Sequence, residues 1–253
     1  MTATADDADK PVVEKLEHGE INWTEKNVMA TGSGAPNLKL PNVAAIRLNA
    51  ERAAELAAYR NIVQTLRGIR ISGTTTGKKA LSADHVRAQV EGIVKGCQRM
   101  DTRYFSDGGV DVVLRCPIDG GLSASMAPVQ TEMASGKGAE TSPHSGVIID
   151  ASKINLKPAL YPRVLDGDGK EIYAAKMIAA NALRQRGAVA YAQTIEAAKK
   201  LERVGAQPLV ISAYRLGKAP SDIVVDTEGA KSLVEGRRSF VSEARVVIVT
   251  GAQ

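Results

Sequence analysis

The chain has 253 residues, a formal net charge of +5, and 44% hydrophobic but only 4% aromatic residues. That length accommodates one large domain or two small ones, each with its own core, and two are expected here. Lys and Arg are interspersed with Asp and Glu, with no arginine-rich run and no basic helix carrying aromatics, so nucleic acid is not an expected partner. No apolar run approaches the roughly twenty residues that span a bilayer, so no transmembrane segment is expected. With two phenylalanines and one tryptophan, Trp23, the cores should be thin layers of Ala, Val, Ile and Leu, without aromatic centres.

Residues 1–20 are acidic, then mixed and polar, and read as a disordered tail that is neither a signal nor a transit peptide. Taken literally, that is a cytosolic start. Order is expected from Ile21, with Ile21, Trp23, Val28 and Ala30 in short extended segments broken by Gly32 to Asn37. No G-x-x-x-x-G-K-[ST] or G-x-G-x-x-G pattern accompanies those glycines, so a turn is read in place of a phosphate loop. Asn42 to Arg70 is the longest helical signal, with Asn42 as N-cap and Gly68 as stop. Ala53, Leu56, Tyr59, Val63 and Leu66 recur at spacings of three and four, and Arg47, Glu51, Arg52, Glu55, Arg60 and Gln64 fill the other positions. Because much of the apolar face is alanine, the helix should lie close against a sheet.

Ile69 and Ile71 begin a short strand, and Thr74 to Gly77 read as a loop or strand end. Ser82 caps a second helix with Val86, Val90, Ile93 and Val94 as its stripe and Gly96 as its end. Cys97 to Ile118 then form two strands around Ser106-Asp107-Gly108-Gly109, with Val110, Val112 and Leu114 on one face. If the turn centres on Ser106 and Asp107, Cys97 and Cys116 face each other and a disulfide is possible, which suits an oxidising compartment. Turn registers one residue away separate them and leave two buried thiols, the default reading because more registers produce it.

A glycine-rich strand (Ala30 to Gly34), the helix AERAAELAAYRNIVQTLRGIRI, a polar loop, the capped helix SADHVRAQVEGIVKG and a strand pair ending VDVVLRCPIDG together resemble the LPP-twenty envelope lipoprotein family. The N-terminal domain of FlgT-type flagellar assembly proteins and the FlgP-type basal-disc proteins are similar. The resemblance covers roughly residues 28–120 and rests on the order and spacing of elements. It implies a cell-envelope protein of the periplasm or the inner face of the outer membrane, self-associating into a ring or disc near the flagellum. Homo-oligomerisation and contact with other envelope or basal-body proteins follow from it. The sequence departs from the lipoproteins in having no N-terminal lipobox cysteine, which implies a processed, non-lipidated chain or a missing anchored start.

Residues 121–145 are rich in Gly, Ser, Ala, Thr and Pro without period and read as a linker or long loop. Beyond it, GVIIDA is a buried strand, PALYPRVLDGDGKEIY is a pair of strands around Asp166-Gly167-Asp168-Gly169, and Asp-Gly there favours a type I′ turn over a calcium loop. Helices are expected over Ala174 to Gln185, over Thr194 to Val204, and after a Thr227 cap. Strands are expected at Val189 to Tyr191, Leu209 to Ala213, Ile223 to Val225 and Ala244 to Thr250. The domain plan is therefore a tail (1–20), a first domain (21–120), a linker (121–145) and a second domain (146–253). The fold class is α+β: two small domains, each with helices packed on one side of a mixed or antiparallel sheet, and the two halves able to share a sheet.

His18, His85 and His144 fall in a tail, at a helix start and in a linker, leaving no general base in an expected cleft. No G-x-S-x-G elbow exists, neither cysteine has a Cys-His context, and Glu51 and Glu55 read as a solvated, mildly repulsive pair. No catalytic, cofactor-binding or metal-binding residue is assigned, and the chain is read as a non-enzyme. A monomeric periplasmic module binding a small molecule or peptidoglycan through residues 119–145 is the alternative.

Overall fold

Two glycines in one strand decide how the long helix sits. In the computed structural model, which describes residues 10–73, 75–76, 96–118 and 143–251, the fold is α+β with more than one domain. The first unit comprises Val13–Ile69 and Gly77–Leu122. It contains strands Val13–Leu16 (β1), Gly19–Asn22 (β2) and Asn27–Gly34 (β3) and helix Val43–Gly68 (α1). The chain then leaves through Arg70–Ser72 (β4) and Thr75–Thr76 (β5), and returns as Gln98–Tyr104 (β6) and Val110–Pro117 (β7). The sheet is antiparallel throughout, in the order β1-β2-β3-β7-β6.

A Cβ added to Gly32 would lie 2.0 Å from the Ala58 nitrogen and 2.2 Å from the Ala54 oxygen, and one added to Gly34 would lie 2.0 Å from the Ala50 oxygen. The α1 backbone therefore rests on the β3 backbone, which demands small residues on both sides of the contact. Ala50, Ala54 and Ala58, spaced by one helical turn, supply them, and Ile62, Thr65 and Leu66 continue the buried face. This corrects the expected stripe: Ala53 and Leu56 face solvent, Leu56 at 65% exposure, because a leucine cannot enter a contact this close. The expected cap is present, with Asn42 Oδ1 accepting from Ala45 N at 2.8 Å. The ordered chain also begins earlier than expected. β1 pairs with β2 inside the stretch read as a tail, and Trp23 Nε1 donates to Glu14 Oε2 at 3.0 Å. The expected second helix (Ser82 onward) and most of the 121–145 linker lie outside the described residues.

The second unit gathers Met1–Val12, Arg70–Thr76 and Ser123–Gln253. Its elements are Gly146–Asp150 (β8), Arg163–Leu165 (β9), Glu171–Tyr173 (β10), Ala180–Arg186 (α2), Ala190–Ala192 (β11), Ile195–Lys199 (α3), Pro208–Leu216 (β12), Asp222–Val225 (β13), Thr227–Glu235 (α4) and Val246–Val249 (β14). They form a mixed sheet, β10-β9-β13-β12-β8-β14-β11, with β8 parallel to both neighbours. The two halves have separate sheets, and β14 closes the second between β8 and β11. β8 and β14 are unbroken apolar runs because both their faces are covered. Ile148 packs with Ala198 of α3, whereas Ile211, in register with Ile149, lies under Gly229 of α4. Helices therefore flank this sheet on both sides, an elaboration of the one-sided expectation.

The segment after α1, expected in the first domain, packs in the second unit: the Arg70 and Ile71 carbonyls accept from Leu160 N and Tyr161 N. Aromatics also matter more than their number suggested. Tyr161, Tyr173, Tyr191 and Phe240 are all buried, and the hydroxyls of Tyr173 and Tyr191 donate to the carbonyls of Ala188 and Ala159. A buried phenol without such a partner would cost about 1–3 kcal/mol. Asp226 caps α4, one residue before the expected Thr227. The Asp166 turn forms the expected hairpin, but Gly169 alone takes positive φ, so it is not the type I′ turn, which needs two such residues.

Gly32→Val is expected to destabilise the first unit by about 3 kcal/mol or more in urea unfolding, since the new side chain meets helix backbone. Gly167→Ala, whose added methyl meets nothing within 4 Å, should leave stability within about 0.5 kcal/mol.

Candidate interaction surface

Cys97 and Cys116 are joined by a disulfide that closes a loop with a sequence separation of 19. The turn that makes this possible is not the expected one. Phe105 N donates to Gly109 O and Tyr104 pairs with Val110, so the turn centres on Asp107, with Gly108 at positive φ. Continued unchanged, that register would leave the cysteines one residue out of step. A bulge at Met100, between the pairs Arg99–Leu114 and Asp101–Val113, removes the offset and places Cys97 opposite Cys116. The thiol reading is therefore corrected, and the missed element was the bulge.

Among the described residues β6 ends the sheet and has a strand neighbour on one side only. Six of its seven residues are exposed, so neither of its faces is buried. Met100, Tyr104 and, in the turn, Phe105 are exposed large apolar side chains on this edge. From the helix side, Arg99 reaches Glu51 and also Glu55, the latter at 2.9 Å, and the Tyr104 hydroxyl donates to Glu51 Oε2 at 3.1 Å. The Arg47 guanidinium lies 5.6 Å from the centre of the Tyr104 ring. Glu51 and Glu55, read from sequence as a repulsive pair, are thus bridged by a cation from the strand. The Arg99 guanidinium and the Tyr104 hydroxyl hold the Glu51 carboxyl below its ordinary range, and that carboxylate in turn raises the Tyr104 phenol. Solvent limits the strength of such exposed contacts, so their effect is chiefly to orient side chains along the edge.

Two polar clusters in the second unit serve packing. Asp222, with its side chain fully buried, accepts from Arg163 Nε at 3.0 Å and Nη2 at 2.5 Å, and Arg163 continues to Glu171, which also meets Lys176 at 2.5 Å. Lys176 first, and then Arg163, keep the Glu171 carboxyl below its ordinary value. Arg203 donates to the carbonyls of Ala244 and Gly187, two residues at positive φ, and burial pushes its guanidinium down to about 10, still protonated at neutral pH. His18 is exposed in the β1–β2 turn, His144 is half-buried just before β8, and His85 lies outside the described residues. Among the described residues no three His, Cys, Asp or Glu side chains converge on a metal-sized site. No helix there is long and apolar enough to cross a membrane.

Residues 146–252 match the family model described as Treponema pallidum Tp0624, second domain. The match begins at the first residue of β8 and runs past β14, covering every strand and helix of the second unit from β8 onward. No curated protein matches the chain.

Replacing both cysteines by serine should lower stability by about 3 kcal/mol in urea unfolding, the value expected for a loop of this length. A second expectation concerns acid. Glu171 has a folded-state pKa below its unfolded one, so its stabilisation is present above about pH 4.3 and disappears as pH falls through the folded value. The difference in thermal midpoint between the wild type and Glu171→Gln should therefore be present at pH 7 and shrink below about pH 4.

Proposed function

We propose that this chain is a non-enzymatic structural or assembly protein of the bacterial cell envelope that self-associates into a ring or disc, in the setting of the flagellum. The periplasm or the inner face of the outer membrane is its compartment. The observation that carries the reading is β6, an exposed edge strand bordered by apolar side chains and anchored at its base by a disulfide. An open edge is a template for another chain, and natural proteins leave one accessible where pairing is used. The disulfide supports an oxidising compartment. The resemblance of residues 28–120 to envelope proteins supports the same location, and the match of residues 146–252 to the second domain of a Treponema protein supports a multi-domain bacterial protein. Other envelope or basal-body proteins are the further partners this reading requires.

Light scattering across a concentration series, with negative-stain images of the same fractions, tests it. The expected outcome is a closed assembly of many copies, or a concentration-dependent rise in mass toward one. A monomer at every concentration would remove autonomous assembly and favour the binding-module alternative.

A further inference from the structure

We infer that β6 pairs antiparallel with β6 of a second copy, about a twofold axis at Thr102. This specifies one contact within the self-association proposed above, the twofold one that makes a dimer unit, with ring closure left to a second contact elsewhere on the chain, and it rests on that reading. The first step is which backbone groups are open. Phe105 donates its N–H to β7, and N–H groups alternate in direction along a strand, so Arg103 and Asp101 also bond inward. Thr102 and Tyr104 aim theirs at the side where the described residues place no strand.

The second step is register. With Thr102 opposite Thr102, the open N–H and C=O groups of the two copies meet as a hydrogen-bonded pair. Asp101 of each copy then falls opposite Arg103 of the other, at the non-hydrogen-bonded positions where side chains come closest. In the single chain these two exposed charges meet each other, with Arg103 Nε 2.8 Å from Asp101 Oδ2, and pairing exchanges that bond for two crossing the axis. Tyr104 falls opposite Met100 of the other copy, which covers two of the exposed apolar side chains. Neighbouring registers lack this match. Centring on Tyr104 sets Asp101 against Asp107 of the other copy, and centring on Met100 places the bulge on the axis.

Charge exchange between copies tests the inference. Asp101→Arg and Arg103→Asp each oppose like charges across the axis, and each should weaken self-association about tenfold by sedimentation or light scattering. Mixed one to one, the two variants restore the match: one copy then carries arginine at both positions and the other carries aspartate at both. Opposite charges face each other twice across the axis, and association should return toward the wild-type value. Restoration by mixing cannot come from a contact within one chain. Thr102→Cys should form an inter-chain disulfide, read at twice the chain mass on a non-reducing gel, because hydrogen-bonded antiparallel partners lie about 5.5 Å apart. Circular dichroism of each variant checks that it folds. If the wild type associates but the mixture is no tighter than either variant and Thr102→Cys does not cross-link, the Thr102 pairing is overturned while the assembly reading stands. A wild type that is monomeric throughout overturns both.

Discussion

The first unit depends on the backbone contact between α1 and β3. Where a strand presents Gly32 and Gly34, a helix can approach until only alanine fits between, and Ala50, Ala54 and Ala58 recur at that spacing. Such a contact buries little apolar area per residue, so its stabilisation comes from close packing. The larger apolar side chains gather toward the helix's second half, at Ile62 and Leu66. The orientation of α1 is then settled, and with it the row of Glu51 and Glu55 along the flank facing β6. The Arg99 and Tyr104 contacts are therefore consequences of an alanine stripe on the neighbouring face of the helix.

A second constraint acts through register. Hairpin turn and disulfide make incompatible demands, since a turn centred on Asp107 and an unbroken ladder would misalign Cys97 and Cys116. One bulged residue, Met100, reconciles them. A bulge also interrupts the edge, so the regular part of β6 beyond it is short. The covalent link and the shape of the exposed edge thus have one geometric origin.

This explains which features could be read from sequence. The order of the described elements from β2 onward, the Asn42 cap and the buried apolar runs of β8 and β14 depend on local chemistry and periodicity, and they were legible. The buried face of α1 was not, because hydrophobic spacing favoured Leu56, while the deciding glycines lie in another element. Nor was the bulge, since nothing in GCQRMDTRY distinguishes an extra residue at position 100 from a shift in the turn. The Glu51–Arg99–Tyr104 cluster depends on both and was hidden for both reasons. QRMDTRY nonetheless carried a usable signal: a strand with no alternating apolar face is one with neither face built for burial. In the second unit, the buried tyrosines were discounted by composition, although a few aromatics with hydroxyls bonded to backbone carbonyls fill as much space as many alanines.

Charge on an edge strand is usually a device against pairing. Uniform charge repels an approaching copy in every register. β6 instead carries opposite charges two residues apart on one face, Asp101 and Arg103, so repulsion depends on register. Sliding the second copy to the Tyr104 centre brings Asp101 against Asp107, whereas the Thr102 centre brings opposite charges together twice. The same residues that discourage indiscriminate edge association therefore select one arrangement. The bulge on one side and the turn on the other limit how far a paired ladder could extend, so in the proposed pairing each edge would engage a single copy along a short, defined stretch.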